Sequence, residues 1–78
     1  PLQINLVDHE GRTALWLAAL AGQVEFVTMA IGMSASTEIG NRHGITPLLA
    51  AAFQGRLAVI KQLGTAGALL KATDETGQ

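Results

Sequence analysis

An all-α fold of stacked helix pairs is predicted by three observations on this 78-residue sequence. A period of 33 residues brings Gly11 onto Gly44, Thr13 onto Thr46 and Gly22 onto Gly55. The sequence is 49% hydrophobic but only 4% aromatic, so its apolar side chains are mostly aliphatic, with alanine the most frequent. Apolar residues recur at helical spacing between the glycines. Periods of about 20–50 residues are typical of solenoids, in which each unit packs on its neighbours.

The first unit is predicted to hold two short helices on either side of Gly22. Thr13 is a favourable N-cap residue for the first helix, and Gly22 suits the left-handed position that ends a helix. Apolar residues at i, i+3 and i+4 give each helix one buried stripe. The predicted stripes are Leu15, Ala18 and Ala19 in the first helix and Val24, Val27 and Ile31 in the second.

The second unit repeats this order. Thr46 is the expected N-cap, and Pro47 occupies the first helical position, where a missing N–H costs nothing. Gly55 is expected to end the first helix, and Gly67 the second. The predicted stripes are Leu48, Ala51 and Ala52, then Leu57, Ile60 and Leu63. Residues 34–44 and 67–77 are expected to be loops, with Gly44 and Gly77 in tight turns.

The alanine pairs are expected to lie where one helix pair packs on the next. Helices pack about 8–10 Å apart, and small side chains at the contact favour the shorter distance. Ala18 with Ala19 and Ala51 with Ala52 are therefore predicted to form the seam between units.

The sequence resembles the ankyrin-repeat family along essentially its whole length. The resemblance rests on Asp8-His-Glu-Gly-Arg-Thr-Ala-Leu15 and on Asn41-Arg-His-Gly-Ile-Thr-Pro-Leu48, each followed by an alanine pair and a glycine. It implies the tail of one repeat at 1–7, complete repeats at 8–40 and 41–73, and the start of another at 74–78. A fragment of a longer chain is therefore expected.

The family pattern also implies roles for individual positions. The aspartate or asparagine at Asp8, Asn41 and Asp74 is expected to bond to the backbone of its turn. The family's usual histidine, which bonds to turn backbone, is replaced by Trp16 in one repeat and Leu49 in the other, so this bond is expected to be lost twice.

Protein binding is the function that the resemblance implies, through the turn tips and the exposed ends of the first helices. The alternative is a structural spacer, or a regulatory cover beside a catalytic domain of the same parent chain. The expected contact residues are His9, Glu10, Arg12, Leu20 and Ala21 in the first repeat, Arg42, His43, Ile45, Phe53 and Gln54 in the second, and Glu75, Thr76 and Gln78 beyond.

Two aromatic residues on the first helices each have two interpretations. Trp16 is either a large core residue or an exposed anchor, since tryptophan is enriched among interface hot spots. Phe53 is either the principal anchor or a residue covered by the turn of a following repeat. Both are included among the candidate binding residues.

The remaining chemistry argues against other functions. No catalytic motif, phosphate loop or paired carboxylates occur, so no enzyme activity is expected. His9 and His43 fall in consecutive turns about one repeat apart, and cysteine is absent, so neither a metal nor a cofactor is expected. A net charge of −1 favours neither nucleic acid nor membrane as partner. The expected partners are another protein and flanking repeats, in an intracellular location, cytoplasmic or nuclear.

Overall fold

The computed structural model describes residues 3–68, which form four helices joined by turns and loops. The helices are α1 (Ala14–Ala21), α2 (Val24–Gly32), α3 (Pro47–Phe53) and α4 (Leu57–Thr65). Each unit pairs a first helix with a second, α1 with α2 and α3 with α4. The units stack so that α1 packs on α3 and α2 on α4. The all-α prediction is confirmed.

Both first helices begin at the predicted threonine. The Thr13 hydroxyl accepts a hydrogen bond from the Trp16 amide at 3.0 Å, and the Thr46 hydroxyl accepts one from the Leu49 amide at 3.3 Å. Pro47 occupies the first turn of α3. These bonds satisfy amides that have no partner inside the helix, which fixes where α1 and α3 start.

Left-handed glycines close the first helices and shape the turns, as predicted. Gly22 follows α1 directly at φ +75°, and its amide reaches the carbonyls of Ala18 and Ala19. Gly55, two residues after α3, has φ +69°, and Gly44 has φ +79° in its turn. A residue with a Cβ is strained in this region. The predicted turn at Gly77 lies outside the described residues.

Substitution of Gly11 tests how closely the two units approach. Gly11 has φ +81°, and a Cβ there would lie 2.9 Å from the backbone nitrogen of Arg42 in the second unit. Gly55 has a similar φ but open space around it. Gly55→Ala is expected to cost about 1–2 kcal/mol from left-handed strain alone, and Gly11→Ala measurably more. Urea unfolding of the two variants checks this, and equal losses would contradict the close approach.

The core runs continuously through both units and is lined mainly by alanine, leucine and valine. Three predicted stripe positions differ from the sequence-based expectation. Val24 and Leu57 are the first residues of α2 and α4 and are exposed, while Ala30 and Val59 are buried instead. The core cluster comprises Leu15, Ala18, Ala19, Val27, Ala30, Ala35, Leu48, Ala51, Val59 and Leu63.

Ala52 is the third difference, because it is exposed rather than buried in the seam. By the 33-residue period, Ala52 corresponds to Ala19 and Ala50 to Leu17. Ala19 and Ala50 are buried, whereas Ala52 and Leu17 are exposed. This pattern is the one expected when Ala19 and Ala50 lie on the faces of α1 and α3 that meet. Ala52 then points away from the first unit.

Candidate protein-binding surface

The two turns that precede α1 and α3 have the same internal structure. The Asp8 carboxylate accepts hydrogen bonds from the amides of Glu10 and Arg12, both at 2.9 Å. In the second turn, the Asn41 side-chain oxygen accepts from the amides of His43 and Ile45, at 2.9 and 3.0 Å. The turn-bonding role implied for these two positions is confirmed, while Asp74 lies outside the described residues. Each side chain satisfies two amides and holds the turn in shape.

Arg12 is bound to its own turn. Its Nε and Nη2 atoms each lie 2.9 Å from Oδ2 of Asp8. The hydrogen bond from the Arg12 amide is the main cause that lowers the pKa of Asp8 from its ordinary 3.8 to about 2. The Arg12 side chain and the Glu10 amide add to this effect, and partial desolvation opposes it. The Arg12 guanidinium is therefore engaged within its own turn.

The depressed pKa of Asp8 predicts a contribution to stability that is lost at low pH. A carboxylate with a lower pKa in the folded state stabilises the fold above its unfolded pKa, and this is lost as the pH falls through the folded pKa. The contribution of Asp8 should be complete above about pH 4 and disappear between about pH 4 and 2. Asp8→Asn keeps the acceptor that Asn41 supplies in the second turn, but cannot ionise. Unfolding free energies measured across this range should fall less steeply in Asp8→Asn, and parallel curves would contradict the assignment.

The tips of the two turns are joined to each other. The Arg42 amide donates to the Glu10 carbonyl at 2.9 Å. Glu10 Oε1 lies 3.6 Å from Nη1 of Arg42, and its Oε2 lies 3.6 Å from Nε2 of His9. The side chains of His9, Arg42 and His43 are exposed, and Glu10 is half-buried. The tips therefore form a continuous polar rim in which charges of opposite sign lie side by side.

Trp16 is buried, so the core interpretation holds and the exposed-anchor interpretation is wrong. Its side chain is 7% exposed, and its indole N–H donates to the Ile45 carbonyl across the two units at 2.7 Å. The family's histidine bond to turn backbone, which was expected to be lost twice, thus has a substitute in the first repeat. The bond also engages the backbone of Ile45, whose side chain is half-buried. Trp16 and Ile45 therefore lie at the junction between the units and are joined by this hydrogen bond.

Three apolar side chains of α1 and α3 reach the surface next to the turn tips. We call them the first-helix strip: Leu20, Leu49 and Phe53. Phe53 is 68% exposed, and the other two are half-buried. Leu49 and Phe53 are four residues apart and so share one face of α3. Leu20 occupies the position of α1 that corresponds to Phe53. Leu49 is not among the contact residues expected from the sequence, although its i, i+4 relation to Phe53 was a usable signal for this face.

One end of the first-helix strip is held by Arg56. Its Nε donates to the Leu20 carbonyl at 3.0 Å, where the end of α1 leaves carbonyls without helical partners. Ala21 and Gln54, which follow Leu20 and Phe53, are both exposed. The expected contacts at Glu75, Thr76 and Gln78 lie outside the described residues. The described surface is therefore an apolar strip. The polar turn tips precede it in the sequence, and Gln54 follows it.

A groove lies between α2 and α4, away from the first-helix strip. It encloses about 490 Å³ and is lined mostly by apolar atoms, with Thr28, Lys61 and Gln62 among its walls. The Gln62 amide nitrogen donates to the Val24 carbonyl and to the Thr28 hydroxyl, which ties the second helices together. Its oxygen Oε1 is buried without a partner. This groove includes none of the contact residues expected from the sequence.

Metal-binding clusters and membrane-spanning helices are both absent from residues 3–68. No cluster of three or more histidine, aspartate or glutamate side chains is arranged to hold a metal ion in this part of the chain. None of the helices formed there combines the length and apolarity that crossing a bilayer requires.

Comparison with known proteins identifies the repeat. A family model described as "Ankyrin repeats (3 copies)" matches residues 1–74. The chain is 35% identical over 75 residues to the mouse "Inactive serine/threonine-protein kinase TEX14", covering 96% of this chain and 5% of that protein. It is 35% identical over 72 residues to the Candida albicans "Glycerophosphocholine phosphodiesterase GDE1", covering 91% of this chain and 6% of that protein. It is also 35% identical over 69 residues to the rat "Ankyrin repeat and SAM domain-containing protein 6", covering 87% of this chain and 8% of that protein.

The matched region is a small part of each of these relatives, so their whole-protein activities are not carried over to this chain. The family model, by contrast, spans nearly all of the 78 residues and agrees with the four-helix stack. Ankyrin repeats in general mediate interactions between proteins. This chain belongs to the ankyrin-repeat family.

Proposed function

We propose that this chain is a protein-binding segment of a larger ankyrin-repeat protein and binds its partner through the first-helix strip and the turn tips. The observation that carries the proposal is the exposure of Phe53 beside Leu49 and Leu20. An apolar centre flanked by a polar rim is the usual anatomy of a protein interface. The rim is formed by His9, Glu10, Arg42 and His43, with Gln54 at the helix end.

Membership of a longer array is supported by the outer face of the first unit. Leu17 is 40% exposed and Phe26 is exposed to a similar extent, and they border a concavity of about 350 Å³. The corresponding residues of the second unit, Ala50 and Val59, are each 1% exposed. A preceding helix pair would cover Leu17 and Phe26 in the same way. The repeat boundaries 8–40 and 41–73 belong to this proposal.

A matched pair of substitutions in the full-length parent protein tests the binding role. Phe53→Ala removes the proposed anchor, whereas Leu57→Ala removes a side chain that is 77% exposed at the start of α4. A partner isolated with the wild-type protein should bind Phe53→Ala at least about tenfold more weakly, as expected for a hot spot. Leu57→Ala should keep full affinity. Equal affinity of all three proteins would contradict the proposal.

A spacer or regulatory cover beside a catalytic domain is the second candidate. It is favoured by the similarity to a protein named as a phosphodiesterase, of which the matched region is 6%. A spacer depends on the stability and length of the stack, so it should tolerate Phe53→Ala. Measuring the parent protein's activity with Phe53→Ala and with the destabilising Trp16→Ala distinguishes the two roles. Loss of activity in Trp16→Ala alone would support the second candidate.

A further inference from the structure

We propose that the groove between α2 and α4 is a binding site for a small amphiphilic carboxylate, a molecule with an alkyl chain and one carboxylate group. The groove encloses about 490 Å³, within the range of about 300–1,000 Å³ that small-molecule sites occupy. It shares no residue with the first-helix strip or with the turn tips. The site is therefore independent of the proposed protein-binding surface.

The apolar lining of the groove comes from both second helices. Val24 and Ile31 line it from α2, and Ala58 lines it from α4. Val24 is 38% exposed and Ala58 is also exposed, so a ligand can reach these side chains. An alkyl chain laid against them removes apolar surface of both the protein and the ligand from water, which favours binding.

The neutral polar side chains of the groove are already engaged in hydrogen bonds. The Thr28 hydroxyl donates to the Val24 carbonyl, and the Thr65 hydroxyl donates to the Lys61 carbonyl. The Gln62 amide nitrogen donates to the Val24 carbonyl and the Thr28 hydroxyl, and its oxygen is buried. A sugar or a nucleobase would bury hydrogen-bonding groups that find few partners here, which is unfavourable. A hydrocarbon chain needs no such partners.

The charge of the groove selects the head group of the ligand. Among residues 3–68, Lys61 is the one charged side chain that lines the groove, and it is exposed. A single carboxylate complements this ammonium group, whereas a cation would be repelled by it. A polyphosphate would leave most of its charge without a partner, because one lysine cannot neutralise it. An apolar body with a single anionic group is therefore the ligand that fits both the lining and the charge.

Three probes with the same alkyl chain test the proposal: octanoate, octanol and octyltrimethylammonium. Each is titrated below its micelle concentration into the isotope-labelled full chain, and NMR measures affinity and location together. Octanoate should shift the methyl signals of Val24 and Ile31 and the side-chain signals of Lys61. It should bind about two- to fivefold more tightly than octanol, the effect expected of one solvent-exposed ion pair. Octyltrimethylammonium should bind most weakly.

Two variants that lose the same charge separate the groove from general electrostatics. Lys61→Gln should weaken octanoate about two- to fivefold and leave the affinity of octanol unchanged. Arg42→Gln, which lies outside the groove, should leave the affinity of octanoate unchanged. Equal affinity of the three probes, equal effects of the two variants, or shifts confined to the first-helix strip would overturn the proposal. Absence of octanoate binding at millimolar concentration would overturn it as well.

Discussion

Trp16→Ala is expected to lower the free energy of unfolding by about 3–5 kcal/mol, the usual cost of truncating a buried aromatic side chain. The indole is buried between α1 and the second turn, and it donates a hydrogen bond to the Ile45 carbonyl. Its removal leaves a cavity at the junction of the two units. Chemical denaturation, monitored by circular dichroism, measures the loss. Tryptophan fluorescence cannot be used, because the variant lacks the single tryptophan.

Trp16→Phe is the matched control for this substitution. It keeps an aromatic ring in the junction but cannot donate to Ile45. The Ile45 carbonyl also accepts from the Asn41 amide at 2.9 Å, so it is not left without a partner. A loss of only about 0.5–1.5 kcal/mol is therefore expected, the net value of one hydrogen bond. If Trp16→Ala does not fold, Trp16→Phe still measures the junction, and a loss below about 0.5 kcal/mol in either variant would contradict its importance.

Ala51→Leu is expected to cost about 1–3 kcal/mol, because the added atoms have no space in a packed core. Ala51 is 0% exposed and belongs to the cluster that joins the two units. Ala52→Leu is the matched control one residue away, since Ala52 is exposed. Its effect should stay within about 0.5 kcal/mol. Thermal and urea unfolding of the two variants checks the difference, and equal stability of Ala51→Leu and the wild type would contradict the stacking of α3 on α1.

Local features were predictable from the sequence because their causes are local. Thr13 and Thr46 cap helices through bonds to residues three positions away, and Gly22 ends α1 through its own φ. The 33-residue period then predicts that the second turn and helix pair repeat the structure of the first. Asp8 and Asn41 follow the same logic, since each bonds to amides within four residues.

The orientation of side chains across the stack was not predictable, because it depends on which neighbour each helix has. The sequence presents Ala18 with Ala19 and Ala51 with Ala52 as two equivalent pairs, but only Ala52 is exposed. The direction of Trp16 depends on the Ile45 carbonyl, which is 29 residues away in sequence. The i, i+4 relation of Leu49 to Phe53 was present in the sequence, yet the exposure of that face is decided by packing.

Fluorescence of the single tryptophan tests the central claim. According to this claim, the two repeats pack against each other around Trp16 and leave the apolar residues of the first-helix strip exposed. The native full chain should emit at a blue-shifted wavelength and resist quenching by acrylamide, because the indole is 7% exposed. Unfolding in urea should move both signals to those of free indole in one transition. Red-shifted emission and full quenching of the native chain would contradict the packing of the two repeats on which the binding surface depends.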